Sequence, residues 1–246
     1  GPFEPRLGLF DLVMAAGPKQ RDRMIDSGLV RPENCAMVGY PKFDIVEALS
    51  PKPKTPFTDQ RPIVLYNPHF DPKLSSWPRW GAQVLERFAA DDRYNLIFAP
   101  HVRLFDQADA PDPGPANRFA DHPRIHIDLG GRSAIDMTYT RLADVYLGDV
   151  SSQIYEFLRT PKPAIFLNAH DVDWAGDESY RHWRYGPVLD NVEALPDAVA
   201  TAIASHDDYL AEQQAGFASS FDLQQRSSSL RAADAIAVRL GGRPIP

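Results

Sequence analysis

A parallel α/β sheet covered by helices on both faces is the fold class this sequence predicts. Three observations carry it. The strand-like segments are short and apolar on both sides, as in Ile63–Tyr66 and Asn95–Ala99. Helical patterns separate them. Polar or glycine-bearing residues follow several of them directly. Strands buried on both faces read as unbroken apolar runs, and parallel pairing needs a crossover between strands. Ligands of such sheets bind beyond the carboxyl ends of the strands.

The elements follow in order. Phe10–Ala16 is an apolar run turned by Gly17-Pro18, and Pro18 suits the first turn of a helix running through Met24 and Ile25. Cys35–Gly39 reads as a strand, Gly39-Tyr40-Pro41 as a break and Phe43–Leu49 as a short helix. Ser50–Pro62 carries four prolines and alternating charge, the composition of a linker. Beyond it, strands are expected at Ile63–Tyr66, Asn95–Ala99, Ile125–Ile127, Val145–Leu147 and Pro163–Leu167. Helices are expected at Trp80–Ala89, Ser133–Ala143 and Ser152–Leu158, with a loop at Ala108–Asn117. Asn168–Tyr185 is polar, aromatic and irregular. From Asn191 the chain is Ala-rich and helical, interrupted at Ser205–Asp208. The expected organisation is the end of one lobe at residues 1–49, a linker at 50–62, and a sheet-bearing lobe with carboxy-terminal helices at 63–246. The Gly1-Pro2 start reads as the scar of a cleaved tag and is left out of the fold.

The totals exclude several classes. At 246 residues and 43% hydrophobic, the chain can bury a sizeable core. A net charge of −7 with scattered basic residues argues against nucleic acid as a partner. One cysteine, Cys35, allows neither an internal disulfide nor a cysteine zinc site. No apolar run reaches the ~18 residues of a membrane span, and no signal peptide is visible. A cytoplasmic setting is the expectation, with peripheral association at the inner membrane face left open. Gly130-Gly131 is not a GxGxxG, so a dinucleotide fingerprint is absent.

Four segments place polar residues at the carboxyl edge of the expected sheet. They are Asn67-Pro68-His69, Pro100–Arg103, Gly130–Ser133 and Gly148–Ser152. In the last, Asp149, Ser151 or Ser152 can cap the helix that follows. Alternatively, its opening N–H groups and two hydroxyls hold a phosphate. Asp149 repels an anion and suits loop fixing or capping. Glu156 sits too far along to complete a capping box, but an acid one turn into the helix can accept hydrogen bonds from ribose hydroxyls. His101 follows a buried strand, where an imidazole can exchange a proton or meet a leaving phosphate. His69 and Asn67 share that address and are candidate substrate contacts. Arg103 can bind phosphate bidentately or lie idle on the surface. Trp174, Tyr180, Trp183 and Tyr185 crowd one loop, either stacking on a base or packing among themselves. His122 and His126 flank Pro123, so they do not form a helical metal pair, and no metal or cofactor is expected.

The sequence resembles the CDP-glycerol glycerophosphotransferases of teichoic acid synthesis in five ordered pieces. Val38–Asp44 (VGYPKFD) is similar to the family's VGYPRND-type junction, and Val64–Phe70 (VLYNPHF) to its VLYAPTF strand end. Phe98–Leu104 (FAPHVRL) resembles its strand followed by a catalytic histidine. Ala143–Asn168 resembles AD-x-LITDYSS-x-x-FDF…KP-x-IFF, and Tyr185–Leu195 the closing Gly-Pro-Val segment. The resemblance implies the Rossmann-like donor-binding lobe of a GT-B type fold. It also implies a CDP-activated, CDP-glycerol-like donor and transfer of glycerophosphate to a cell-envelope polymer or lipid. Gly148, Asp149, Ser151, Ser152 and Arg103 would meet the donor phosphates. Glu156, Gly186 and Pro187 would meet the nucleotide, and His101 would be catalytic. Val150, Gly148 and Asn67-Pro68-His69 depart from the pattern, and the His-Gly pair of the family's amino-terminal lobe is absent. The rival expectations are a UDP-sugar-dependent GT-B transferase or epimerase, and a nucleotide-binding module without turnover.

Overall fold

The computed structural model describes residues 4–48, 53–106 and 110–244. Leu49, residues 50–52 of the expected linker and residues 108–109 of the expected loop lie outside them. The chain forms two compact units, Gly1–Pro51 with Ala215–Pro246, and Lys52–Gln214. The sequence assigned the whole carboxy-terminal segment to the sheet-bearing lobe; residues 215–246 instead pack with the amino-terminal unit. Docking of the last helix against residues 41–48, with a hydrogen bond that spans 184 residues from Ser228 to Asp44, decides this, and no local pattern records it.

In the smaller unit, β1 (Val13–Ala15) pairs in parallel with β2 (Cys35–Met37) through α1 (Pro18–Asp26). Val13, Ala15, Met24 and Val30 form its first core. α2 (Pro41–Ala48) follows Gly39, whose φ of 84° favours glycine.

The larger unit is built on six parallel strands. They are β3 (Ile63–Asn67), β4 (Asn95–Phe98), β5 (Ile125–Ile127), β6 (Val145–Gly148), β7 (Ala164–Leu167) and β8 (Val188–Leu189). Their order is β5-β4-β3-β6-β7-β8. The chain therefore winds outward from β3 to β5, returns beside β3 as β6, and winds the other way to β8. β3, β4, β6 and β7 are buried along their whole length, as apolar runs covered on both faces require. The helices are α3 (Trp77–Ala90), α4 (Gly114–Asn117), α5 (Arg132–Ile135), α6 (Thr138–Leu142), α7 (Gln153–Phe157) and α8 (Leu195–Ala204). α9 (Asp207–Ser220) crosses the unit boundary and α10 (Ser228–Arg239) closes the smaller unit. α10 is held at its start by Asp44, whose carboxylate accepts from Ser228 N (3.2 Å) and Ser229 N (2.6 Å).

α3 buries Trp77, Trp80, Gly81, Val84, Leu85 and Phe88, the i, i+3, i+4, i+7 spacing of one apolar face. It begins three residues earlier than expected because Pro78 sits in the first turn, where its missing N–H costs nothing. Trp77 stacks on Phe98 at 4.6 Å and lies across Gly81, where a Cβ would come within 2.2 Å of the indole. The expected helix at 133–143 is broken in two. Met137 takes φ 66° with its side chain buried, and Asp136 Oδ1 accepts from Thr138 N at 3.0 Å to start α6. β8 has only two residues and no periodicity to detect, so it was not expected.

Candidate functional site

The strand order reverses between β3 and β6, and an open α/β sheet forms its ligand crevice at such a point. Asn67 and Gly148 end these strands as register partners. The Asn67 side chain is buried and engaged through both its nitrogen and its oxygen. Its Nδ2 donates to Ala99 O at 2.6 Å, while its Oδ1 accepts from Tyr146 Oη (3.2 Å) and Ser151 Oγ (3.3 Å). It braces three strand ends, through Ala99, Tyr146 and Ser151. Gly148 is needed for the same packing, since a Cβ there would lie 2.6 Å from the Tyr146 ring.

Asp149, 1% exposed, is a clamp between two loops. Its Oδ1 accepts from His69 N and Val150 N, both at 2.8 Å. Its Oδ2 accepts from Ser76 N (2.6 Å) and Ser76 Oγ (2.9 Å). Its backbone oxygen accepts from Trp183 Nε1 at 2.9 Å and meets His182 Nε2 at 3.1 Å. Burial pushes the carboxyl up to about 6, and the N–H groups around it work against that rise. Both carboxylate oxygens are engaged inside the chain, where they tie the loop after β3 to the turn after β6.

The two serines separate. Ser151 is buried, donates to Asn67 and accepts from Gln153 N at 3.3 Å, so its hydroxyl does capping work. Ser152 is exposed and makes no side-chain cap bond. Among the described residues, the amide N–H groups of Ser151 and Ser152 have no hydrogen-bond partner. The turn therefore carries two amides and one hydroxyl without a partner, at the carboxyl end of β6.

His69, after β3, and His101, after β4, lie with ring centroids 6.1 Å apart and Phe70 against both, at 4.3 and 4.7 Å. Arg103 is exposed, with its guanidinium 4.1 Å from the Phe70 centroid. His69 Nδ1 accepts from Asp71 N at 3.0 Å, and His101 Nδ1 accepts from Arg103 N at 3.2 Å. Burial and then the neighbouring His101 hold the His69 imidazole down to about 4. Burial and then Arg103 lower His101. Both rings are neutral at physiological pH.

Other expected residues fall elsewhere. Gly186 and Pro187 lie at the opposite, amino end of the sheet. There a Cβ on Gly186 would stand 1.9 Å from Ala164 O, and Pro187 O accepts from Phe166 N at 2.9 Å. Both residues take part in the packing of β8 on β7. Glu156 is half-buried on α7, one turn beyond Ser152. Trp183 and Tyr185 are buried, and Trp183 packs edge-on to Trp174 (5.9 Å) and Tyr180 (4.8 Å), the packed-loop alternative. Among the described residues, no group of three or more His, Cys, Asp or Glu could hold a metal ion. Among the described residues, no helix is long and apolar enough to cross a membrane. Sequence reasoning missed Ser76, Phe70, Tyr146 and His182. Only Ser76 carried a local signal, its place just before Trp77-Pro78.

No family model and no curated protein matches the chain. Its fold is similar to that of the wall teichoic acid polymerase TagF, as a variant soaked with CDPG. The TM-score is 0.66 at 12% identity, over 96% of this chain and 58% of that one. It is also similar to S. aureus MnaA in complex with UDP, at TM-score 0.57 and 13% identity, over 95% and 61% of the two chains. A UDP-N-acetylglucosamine 2-epimerase gives 0.55 at 12% identity, over 95% and 58%. The chain spans 59% of the TagF variant it matches at TM-score 0.65. These likenesses, with the six-stranded parallel sheet, make the larger unit a Rossmann-like lobe of the GT-B type.

Proposed function

We propose that this chain carries the nucleotide-donor site of a transferase that uses a CDP-activated, CDP-glycerol-like donor. In this reading it passes glycerophosphate to a cell-envelope polymer or lipid acceptor. The observation that carries the reading is the free pair of amides at Ser151 and Ser152, with the Ser152 hydroxyl, at the reversal of strand order. Unpaired backbone N–H groups on one turn are suited to a diphosphate, and the Asp149 carboxylate beside them is already held by hydrogen bonds from His69, Ser76 and Val150. Glu156 stands one turn farther on for the ribose. Phosphoryl transfer is largely positioning and electrostatics, so the site needs donors for the leaving nucleotide rather than a covalent group. His101, neutral with Nδ1 engaged, offers its Nε2–H for that charge. Loss of one such donor typically costs ~10²–10³ in rate.

The likeness to MnaA with UDP supports a second reading, a UDP-sugar enzyme. Calorimetry with CMP, CDP, UMP and UDP separates the two. Tighter binding of CDP than UDP is the expected result. A clear uridine preference would transfer the site to the sugar enzymes, and no binding of any of the four would end the nucleotide reading.

A further inference from the structure

The segment between β3 and α3 holds a second imidazole that matches His101 atom for atom. In each ring Nδ1 accepts the amide two residues on, from Asp71 and from Arg103. A neutral imidazole has one N–H, and a nitrogen that accepts cannot carry it. The proton of each ring therefore sits on Nε2, and among the described residues neither Nε2 has a partner. The backbone of each histidine is pinned as well. His69 N donates to Asp149 Oδ1 at 2.8 Å, and His101 N donates to Pro68 O at 3.0 Å. Phe70 packs against both rings, and the Arg103 guanidinium lies over Phe70. Two rigid N–H donors with fixed tautomers thus stand side by side at the ends of adjacent strands, in the crevice that holds the free Ser151 and Ser152 amides.

We propose that His69 is a substrate-binding residue that works with His101 as a pair of neutral Nε2–H donors to the oxygens of the donor's diphosphate. The inference rests on the nucleotide-donor reading and deepens it. A neutral pair gives hydrogen bonds without drawing in stray anions, and Arg103 supplies positive charge at its rim. Each donor is fixed before the ligand arrives, so little ordering is lost on binding. Neither ring can take a proton at Nε2 without first breaking its Nδ1 contact. The pair therefore acts by donating, and not as a general base.

Two variants separate the outer nitrogen from the inner one. His69→Asn keeps an acceptor for Asp71 N and removes the outer donor. His69→Gln places an amide N–H near Nε2. Calorimetry of the whole chain with CDP and UDP should show His69→Asn weakened about tenfold to a hundredfold, the scale of one hydrogen bond to a charged group. His69→Gln should stay within about threefold of wild type, and both should melt close to it. Nitrogen-detected NMR of the unliganded protein should report Nε2–H tautomers for both rings. Unchanged affinity in His69→Asn, with normal nucleotide binding by wild type, would overturn this inference alone. An Nδ1–H tautomer at His69 would also overturn it. Failure of wild type to bind either nucleotide would remove the donor-site reading and this inference together.

Discussion

Two adjacent serines divide one role between them. Ser151 Oγ joins Asn67 to the first amide of α7, whereas the Ser152 hydroxyl meets solvent. Ser151→Ala should therefore cost about 1 kcal/mol, a drop of roughly 2–4 °C in melting temperature. Ser152→Ala should melt like wild type and bind CDP more weakly. Scanning calorimetry and titration of both variants check the split, and the reverse pattern would sink it. Asp149 offers a sharper case. In Asp149→Asn the amide cannot accept on both sides, so either His69 N and Val150 N or Ser76 N loses its acceptor. A loss of about 1–3 kcal/mol follows for an orphaned buried donor, read as a lower midpoint in urea. The same neighbourhood fixes two opposed pH effects. His69 falls from 6.5 to about 4 on folding, so its contribution to stability is lost as pH drops below 6.5, where the unfolded chain takes the proton first. Asp149 rises from 3.8 to about 6, so its contribution is greatest at low pH and is lost as pH climbs through 6. The melting temperature of His69→Gln should gain on wild type steadily from pH 6.5 to 4.5. Parallel pH curves for the two proteins would contradict the assignment.

At the level of elements, close approach explains what residue type alone left open. Gly186 has an ordinary extended φ, −179°, yet no side chain fits there because Ala164 O occupies the place of a Cβ. Gly186→Ala should displace the start of β8 and cost on the order of 3 kcal/mol, near the upper end for overpacking. If Gly186 touched the nucleotide, affinity would fall with little change in melting temperature, so measuring both quantities separates the cases. The α5–α6 break has a similar origin. The apolar spacing of 133–143 fits one helix, but burial of Met137 and the Asp136 turn favour two. Packing gains for a large buried side chain, about 1.5–3 kcal/mol, exceed the strain of one left-handed residue.

For the whole molecule, a site at the β3–β6 reversal should respond as one body. Saturating nucleotide at a hundred times its Kd adds about 2.7 kcal/mol of stability, a rise of roughly 5–10 °C. Hydrogen exchange should slow in residues 67–76, 100–104 and 148–153, which meet at one sheet edge, and not in β1, α1 or β2. Protection spread evenly over both units, or confined to residues 4–48, would place the nucleotide elsewhere.

The sequence by itself determined the sheet class, the buried strands β3, β4, β6 and β7, and the edge at which polar residues gather. Alternating apolar runs and helical spacing are local patterns, and local patterns record burial directly. It also marked His101 and the Ser151-Ser152 turn, because both follow buried strands immediately. Only the tertiary structure decided the strand order, the membership of residues 215–246 and the partner of each buried polar group. Asp149 meets Ser76 across 73 residues and Asn67 meets Ser151 across 84. Which oxygen is already spent inside the chain, and which donor stays free for a ligand, depends on such distant pairings, and no stretch of neighbouring residues encodes them.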